Sequence, residues 1–321
     1  MRATRNYASR LPSDQMRPQH IPDWQSDVSQ LERFSRVRLI VVDLDGTFVQ
    51  PSTSSLFPSL RELQRSLGHP NYQVGVTVAT GRAWAGAKPI VAELSIPRTT
   101  PIILYNGAIV IEHESQCILH QQCIPRDAVE KVAITCKSHG VPVFSYWFDD
   151  PLTAAFRSDG PERVFATGQF ESKDSNGLVV GPWSSLPPDS NNCVAIVAVP
   201  DRGRPSHDLI PALNSISEIS CTSSGNKYIE IRPAGVNKGE ALRIVARHQR
   251  IAMDEVLALG DADNDAEMLE IAGIGVSVHG ASEVAINSSD YTCRYGAAEG
   301  AVELMRLVKH AKRYFRKDSR R

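Results

Sequence analysis

Asp43-Leu44-Asp45-Gly46-Thr47, reached through Leu39-Ile40-Val41-Val42, decides the fold. Four aliphatic residues in a row have the length and composition of a strand buried on both faces. Such strands belong to parallel sheets covered by helices. The two carboxylates stand two residues apart at the strand end, and Gly46 permits the sharp turn that leaves both acids at its mouth. Two anions held so close are unfavourable unless a cation or a proton separates them. An Asp-rich turn capping a helix would use the same residues. An EF-hand would not, because the later ligand spacing and the bidentate Glu are absent.

Outward from this stretch the same pattern repeats. Val74 to Ala79, Ile102 to Tyr105, Val256 to Leu259 and Ile274 to Val278 are further apolar runs closed by polar or glycine residues. Between them, Leu56, Leu60, Leu63 and Leu67 recur at helical spacing, and Ala241, Leu242, Val245 and Ala246 mark a helix after Lys238. Alternating strand and helix predicts an α/β fold with a doubly wound parallel sheet, whose ligands bind at the carboxyl ends of the strands. The middle of the chain reads differently. A hairpin (Ala108 to Ile111, then Cys117 to His120), a helix near Asp127 to His139, and strands at Val143 to Phe148 and Val194 to Val199 predict an inserted α+β domain. A Gly-, Pro- and Ser-rich loop is expected between the last two strands, through Pro188. The aromatic run Tyr146-Trp147-Phe148 is read mainly as core packing, with sugar stacking as the alternative.

A second acidic cluster, Gly260-Asp261-Ala262-Asp263-Asn264-Asp265, again follows an apolar strand. Adjacent strand ends in one parallel sheet can bring these acids opposite Asp43 and Asp45. Oxygen ligands of that kind suit Mg²⁺. Thr80-Gly81-Arg82 follows the Val74 to Ala79 strand, where a hydroxyl and backbone N–H groups can face an anion or simply cap a helix. Asn237-Lys238-Gly239 opens the amphipathic helix, and Lys238 is either a point charge for phosphate oxygens or a solvated surface lysine. The functional reading rests on all four elements occurring in order.

In that order the chain resembles the haloacid dehalogenase (HAD) superfamily of phosphotransferases, specifically the Cof-type subclass IIB phosphatases, whose large cap lies between the second and third motifs. The resemblance spans about Val37 to Val308. It is carried by Asp43-Leu44-Asp45-Gly46-Thr47, Ala79-Thr80-Gly81-Arg82, Asn106-Gly107-Ala108, the run from Asn237 to Leu242 and the run from Gly260 to Leu269. It implies a Rossmann-like core built from residues 37–108 and 225–309, an inserted cap at 109–224, and a Mg²⁺-dependent phosphatase acting on a small phosphorylated metabolite, a sugar phosphate first of all. By the same resemblance Asp43 is the nucleophile and Asp45 the general acid and base. Mg²⁺ is held by the Asp43 carboxylate, the Asp45 backbone carbonyl and the Asp261 carboxylate, with Asp265 orienting its surroundings. Thr80, Gly81 and Lys238 bind phosphate oxygens, and Asn264, Asn106 and Arg82 lie near the phosphate or the substrate, with a turn-forming Asn106-Gly107 as the equal alternative for Asn106. Where Cof-type proteins often carry Met-Gly/Ala-Asn-Ala, this chain has Val278-His279-Gly280-Ala281, so no substrate contact is carried over there. A phosphomutase resembling phosphomannomutase, and a non-catalytic phosphosugar-binding protein, are the rival readings. The intact Asp43, Asp45, Lys238 and Asp261 weigh against the second.

The 321 residues, with 42% hydrophobic and 22% charged content, fit about two soluble domains. The net charge of −1 provides no global field toward nucleic acid or an anionic membrane. No apolar run reaches the roughly 18–20 residues that span a bilayer, and no secretory h-region opens the chain, so a cytoplasmic protein is expected. Residues 1–36, with three prolines and no sustained apolar period, read as a flexible extension. Its early arginines would also fit a transit peptide. Residues 310–321 form a basic tail, read as a solvated helix end rather than a nucleic-acid site because no aromatic-rich pattern accompanies it. The six scattered cysteines read as free thiols. Oligomeric state is not encoded in any of these signals.

Overall fold

The computed structural model describes residues 18–23, 28–49, 58–94, 96–97, 99–112, 114–154, 160–200, 208–224 and 228–318. In chain order the first elements are β1 (Gln19–His20), α1 (Val28–Ser35), β2 (Leu39–Val42), α2 (Pro58–Gly68), β3 (Gly75–Val78), α3 (Trp84–Leu94) and β4 (Pro101–Leu104). There follow β5 (Ile109–Glu112), β6 (Ile118–Gln121), α4 (Arg126–Ser138), β7 (Val143–Phe148), α5 (Pro151–Ala154), β8 (Glu162–Ala166) and β9 (Val180–Pro182). After these lie β10 (Cys193–Ala198), α6 (Leu209–Asn214), β11 (Ile219–Ser224), β12 (Tyr228–Pro233) and α7 (Lys238–His248). The chain closes with β13 (Val256–Gly260), α8 (Ala266–Ile271), β14 (Ile274–Ser277), α9 (Glu283–Asn287), β15 (Tyr291–Thr292) and α10 (Ala297–Asp318).

One sheet has the order β1-β15-β14-β13-β2-β3, all parallel. Val42 lies in register with Leu259, and the Asp43 N–H donates to the Leu259 carbonyl at 2.9 Å. The strand order reverses between β2 and β13. That reversal is a topological switch point, where the helices diverge and a crevice opens beyond the carboxyl ends of the strands. Both acidic clusters therefore emerge into one crevice. Helices pack on both faces, with Leu60 and Leu67 of α2 and Ala87, Ile90 and Val91 of α3 on one side and Ala241, Leu242 and Val245 of α7 on the other. The predicted doubly wound α/β core is thus present. Leu56, the first residue of the expected α2 stripe, lies outside the described residues.

The second sheet, β11-β12-β10-β7-β8-β9, is antiparallel apart from β8 with β9. α4 and α6 back one of its faces through Ala128, Val129, Val132, Leu209 and Leu213. Alternation turns Trp147 to those helices and Tyr146 and Phe148 to the first layer. Packing therefore accounts for all three aromatics.

Three expectations need correction. The hairpin β5–β6 pairs with β4, which itself joins the core sheet through an Ala79–Ile103 bridge, so these strands extend the core layer beyond the expected limit at 108. At the other end, β12 pairs with β10 and β11, so the second layer continues to Pro233, past the expected 224. The crossing points are narrow. Gln122 N bonds to Ala108 O in the core, and Ile124 N bonds to Cys193 O in the other layer. The outgoing and returning segments are tied side by side, Gln122 Nε2 donating to Ala234 O at 2.9 Å. Within the expected Gly-Pro-Ser loop, Glu162–Ala166 forms β8, because pairing with β7 outweighs the weak local signal of a charged five-residue stretch.

The third correction concerns the amino-terminal end. The described part of residues 1–36 is folded onto the core: β1 pairs with β15, Ile21 is buried, and Leu31 and Phe34 of α1 enter the main core. Two buried side chains one helical turn apart suffice to dock α1, each contributing roughly 1.5–3 kcal/mol, yet they are too few to stand out as a period. At the other end α10 runs to Asp318, a helix end as expected, with Ala311 buried within the expected tail. All six cysteines are free. Among the described residues no helix is long and apolar enough to cross a membrane.

Candidate active site

The crevice at the switch point collects residues from β2, β3, β4, β13 and the start of α7. Asp43 follows β2 and is 5% exposed. Asp261 and Asp265 follow β13, and one ligand oxygen from each of the three acids lies within 4.8 Å of the others. Lys238, at the first position of α7, is fully buried and reaches both Asp43 Oδ1 and Asp265 Oδ1 at 2.6 Å. α7 is started by Asn237, whose side chain accepts the Glu240 N–H at 2.8 Å. α7 also approaches α8 closely, since a Cβ on Gly239 would stand 2.8 Å from the Glu267 carbonyl oxygen. Glycine there lets Lys238 enter the crevice.

Asp265 is fully committed. Its Oδ1 takes Lys238, and its Oδ2 accepts the Asp261 and Ala262 N–H groups at 2.9 and 3.1 Å. It therefore shapes the Asp261 loop. Asp261 Oδ1 accepts from the Thr47 hydroxyl at 2.8 Å. Gly46 sits at φ +85°, and a Cβ there would collide with the Asp261 carboxylate. Only glycine satisfies both the left-handed backbone and the close approach.

One ammonium among three carboxylates leaves two negative charges uncompensated. Burial lifts the Asp43 carboxyl well above the usual carboxylate range; Lys238 opposes this, and Asp265 and Asp261 add to it. Burial also pushes Asp261 up to about 6, with Thr47 opposing. Burial alone would lower Lys238, but the carboxylates of Asp265 and Asp43 outweigh it and hold the ammonium protonated. A hard divalent cation would balance this charge, and an all-oxygen donor set matches Mg²⁺ chemistry. The residues present thus fit the ion.

Asp45 points elsewhere. Its side chain is half exposed and accepts a two-pronged bond from Arg82, Nε to Oδ2 at 2.8 Å and Nη2 to Oδ1 at 2.5 Å. That bond raises the Arg82 guanidinium above its ordinary value, with burial opposing. Thr80 is buried, and its Oγ1 accepts the Arg82 N–H at 3.1 Å.

Tyr105 and Asn106 both adopt left-handed backbone at φ 50° and 54°. For a bulky tyrosine this is strained, and strain of that kind persists where surrounding contacts fix it. Asn106 Nδ2 donates to Glu230 at 2.8 Å, and its Oδ1 accepts from Asn264 Nδ2 at 2.9 Å. A Cβ on Gly81 would lie 3.1 Å from the same amide. Asn106 is therefore both a turn residue and a bridge between β12 and the Thr80-Gly81-Arg82 loop. Tyr105 packs on Tyr146 and Phe148.

The sequence reading missed the contacts from the second layer. Glu162 of β8 is 5% exposed and accepts the N–H groups of Trp84 and Ala85 at 2.6 and 2.7 Å and the Tyr105 hydroxyl at 2.6 Å. A carboxylate from one layer thus caps a helix of the other, at the end where the helix dipole favours negative charge. Nothing local to Glu162 signals this; the strained Tyr105-Asn106-Gly107 corner is the nearest clue. Glu162→Ala strands three donors, so it is expected to lower stability by about 2–4 kcal/mol. Glu162→Gln, which keeps one oxygen, is expected to lose less. Thermal denaturation of the two variants checks this ordering, and equal midpoints would contradict it.

Comparison with known proteins agrees with this geometry. The family model of haloacid dehalogenase-like hydrolases matches residues 40–305. The HMP-PP phosphatase of Serratia proteamaculans is 28% identical over 248 residues, covering 74% of this chain and 82% of that protein. The pyridoxal phosphate phosphatase YbhA of Escherichia coli is 24% identical, covering 77% and 89%. A haloacid dehalogenase-like hydrolase from Bacteroides thetaiotaomicron superposes with a TM-score of 0.69 at 21% identity, over 85% of this chain and 99% of that one. The HAD subclass IIB sugar phosphatase BT4131 does so with a TM-score of 0.67 at 18% identity, over 85% and 100%. The chain therefore belongs to the haloacid dehalogenase-like hydrolases and carries the doubly wound core and inserted cap of their Cof-type phosphatases.

Proposed function

We propose that the protein is a Mg²⁺-dependent phosphomonoesterase that hydrolyses a small phosphorylated metabolite, a sugar phosphate or a compound of similar size, through an aspartyl-phosphate on Asp43. The observation that carries this reading is the buried Asp43–Lys238–Asp265 array at the switch point, with Asp261 opposite. A lysine sharing its ammonium between two carboxylates at 2.6 Å fixes the Asp43 side chain in one orientation. The phosphatase names of the relatives support the same chemistry.

In the first step an Asp43 oxygen attacks phosphorus, the bond to the leaving oxygen breaks, and Asp45 delivers a proton to the departing alkoxide. In the second, water attacks the phosphorus of the aspartyl-phosphate, Asp45 takes the water's proton, and the Asp43 carboxylate leaves. Asp45 must therefore loosen its grip on Arg82 as substrate arrives. Released, the guanidinium is a donor for the bound phosphate. The Thr80 hydroxyl, the Gly81 N–H and Lys238 hold the nontransferred oxygens. Mg²⁺ held by the Asp43 and Asp261 carboxylates and the Asp45 carbonyl would supply charge stabilisation to the phosphoryl group and offset carboxylate repulsion.

The test is phosphate release from a panel of phosphorylated metabolites. Chelator-treated protein is expected to be inactive and to recover on adding Mg²⁺. Mg²⁺ is also expected to raise the thermal midpoint, because it binds the folded site and relieves its charge imbalance. Full activity without divalent cation would contradict the metal assignment. No phosphate release from any panel member would contradict the function.

A further inference from the structure

The inner face of the cap holds a buried guanidinium, two of whose nitrogens meet no hydrogen-bond partner among the described residues. Alternation along β12 sends Ile229 and Ile231 into the helix-backed core of the cap and turns Glu230 and Arg232 toward the catalytic layer. Glu230 confirms the direction by bonding Asn106. Arg232 is 9% exposed, and its Nε and Nη1 are buried with no hydrogen-bond partner among the described residues. On β11, Ser220 pairs with Arg232 and Thr222 pairs with Glu230, which places Thr222 diagonally beside Arg232 on the same face. The Thr222 hydroxyl is also buried without a partner among the described residues.

Arginine stays charged in proteins, so it cannot relieve this burial by losing its proton. A desolvated guanidinium with idle donors is costly unless an anion meets it, and its planar fork fits a carboxylate or phosphate with two parallel bonds. The position suits a substrate. Asn106 touches both the phosphate loop at Gly81 and Glu230, and Arg232 lies two strand residues further along, about 7 Å. Counted along the strand, the Arg232 backbone thus stands on the order of 10 Å from the phosphate loop, within reach of a phosphoester with three to six carbons once the arginine side chain extends toward it.

We propose that Arg232, assisted by Thr222, is the subsite for a second anionic group on the leaving-group side of the substrate. This assignment rests on the phosphomonoesterase reading above. It makes Arg232 the residue that selects doubly anionic phosphoesters over those with a neutral tail.

Two matched pairs test it: glycerol 3-phosphate against 3-phosphoglycerate for a carboxylate, and glucose 1-phosphate against glucose 1,6-bisphosphate for a phosphate. The wild-type protein is expected to favour the anionic member of at least one pair by about tenfold or more in kcat/KM, and Arg232→Gln to abolish that ratio. Arg232→Lys, which keeps the charge without the fork, is expected to restore part of it. A ratio near one in both pairs, or a ratio that Arg232→Gln leaves intact, overturns the subsite. Failure of the phosphatase reading looks different, since wild-type protein would then release phosphate from none of the four compounds or from p-nitrophenyl phosphate. In that case thermal shift with the same pairs decides: a larger stabilisation by the anionic member, lost in Arg232→Gln, supports the subsite, and equal shifts overturn it. The unliganded proteins separate recognition from a structural role. Arg232→Gln is expected to keep or raise the wild-type midpoint, and a fall of more than about 5 °C overturns the assignment.

Discussion

Asp43→Asn protein is expected to release phosphate on the order of 10⁴-fold more slowly than wild type, or slower still, because the amide cannot attack phosphorus. The same change should not unfold the protein. The asparagine oxygen still accepts from Lys238, and the crevice loses one of its two surplus negative charges. A thermal midpoint equal to or above wild type is therefore expected in metal-free buffer, together with the collapse in activity. This pairing distinguishes loss of the nucleophile from loss of the fold. Full phosphatase activity in the purified variant would remove Asp43 from its role.

Lys238→Met should do the reverse, damaging stability and activity together. It withdraws the only cation that reaches Asp43 and Asp265 among the described residues and leaves three carboxylates in one buried space. Removing one partner of a buried ion pair costs about 3–5 kcal/mol, which is a large part of the stability of an ordinary domain. Lys238→Met/Asp265→Asn should recover part of that loss, since the second change deletes a charge the first left uncompensated. A double-mutant cycle on urea midpoints reads this coupling directly. Additive losses would mean that the array contributes no shared electrostatic term, and an unchanged midpoint in Lys238→Met would exclude it from the core of the site.

The catalytic layer was legible in the sequence because each of its parts is local. Leu39–Val42 carries its own strand signal, Asp43 and Asp45 follow at once, and Gly46 marks the turn. Thr80 and Asp261 likewise follow apolar runs, and Asn237 announces the helix that starts at Lys238. Parallel pairing in register then does the rest, bringing together ends that lie more than two hundred residues apart. Residues whose role depends on the other layer gave no such signal. Glu162 reads as one charge in a polar stretch until β8 pairs with β7 and faces α3. Arg232 looks like an ordinary strand arginine until its burial and its idle donors are seen. Ile21, Leu31 and Phe34 were obscured for a related reason, since three buried side chains in a polar segment make a docking contact and not a pattern.

The bond between Gln122 and Ala234 has a consequence for how such a protein can change over evolutionary time. Exit and return of the inserted segment lie one hydrogen bond apart, so its two ends meet at a single gate in the core. A stretch entered and left through one gate can lengthen, shorten or be exchanged as a cassette with little cost in closing the loop, because that cost grows only slowly with length. Such a change at the gate leaves the strand ends that carry Asp43 and Asp261 where the parallel core holds them.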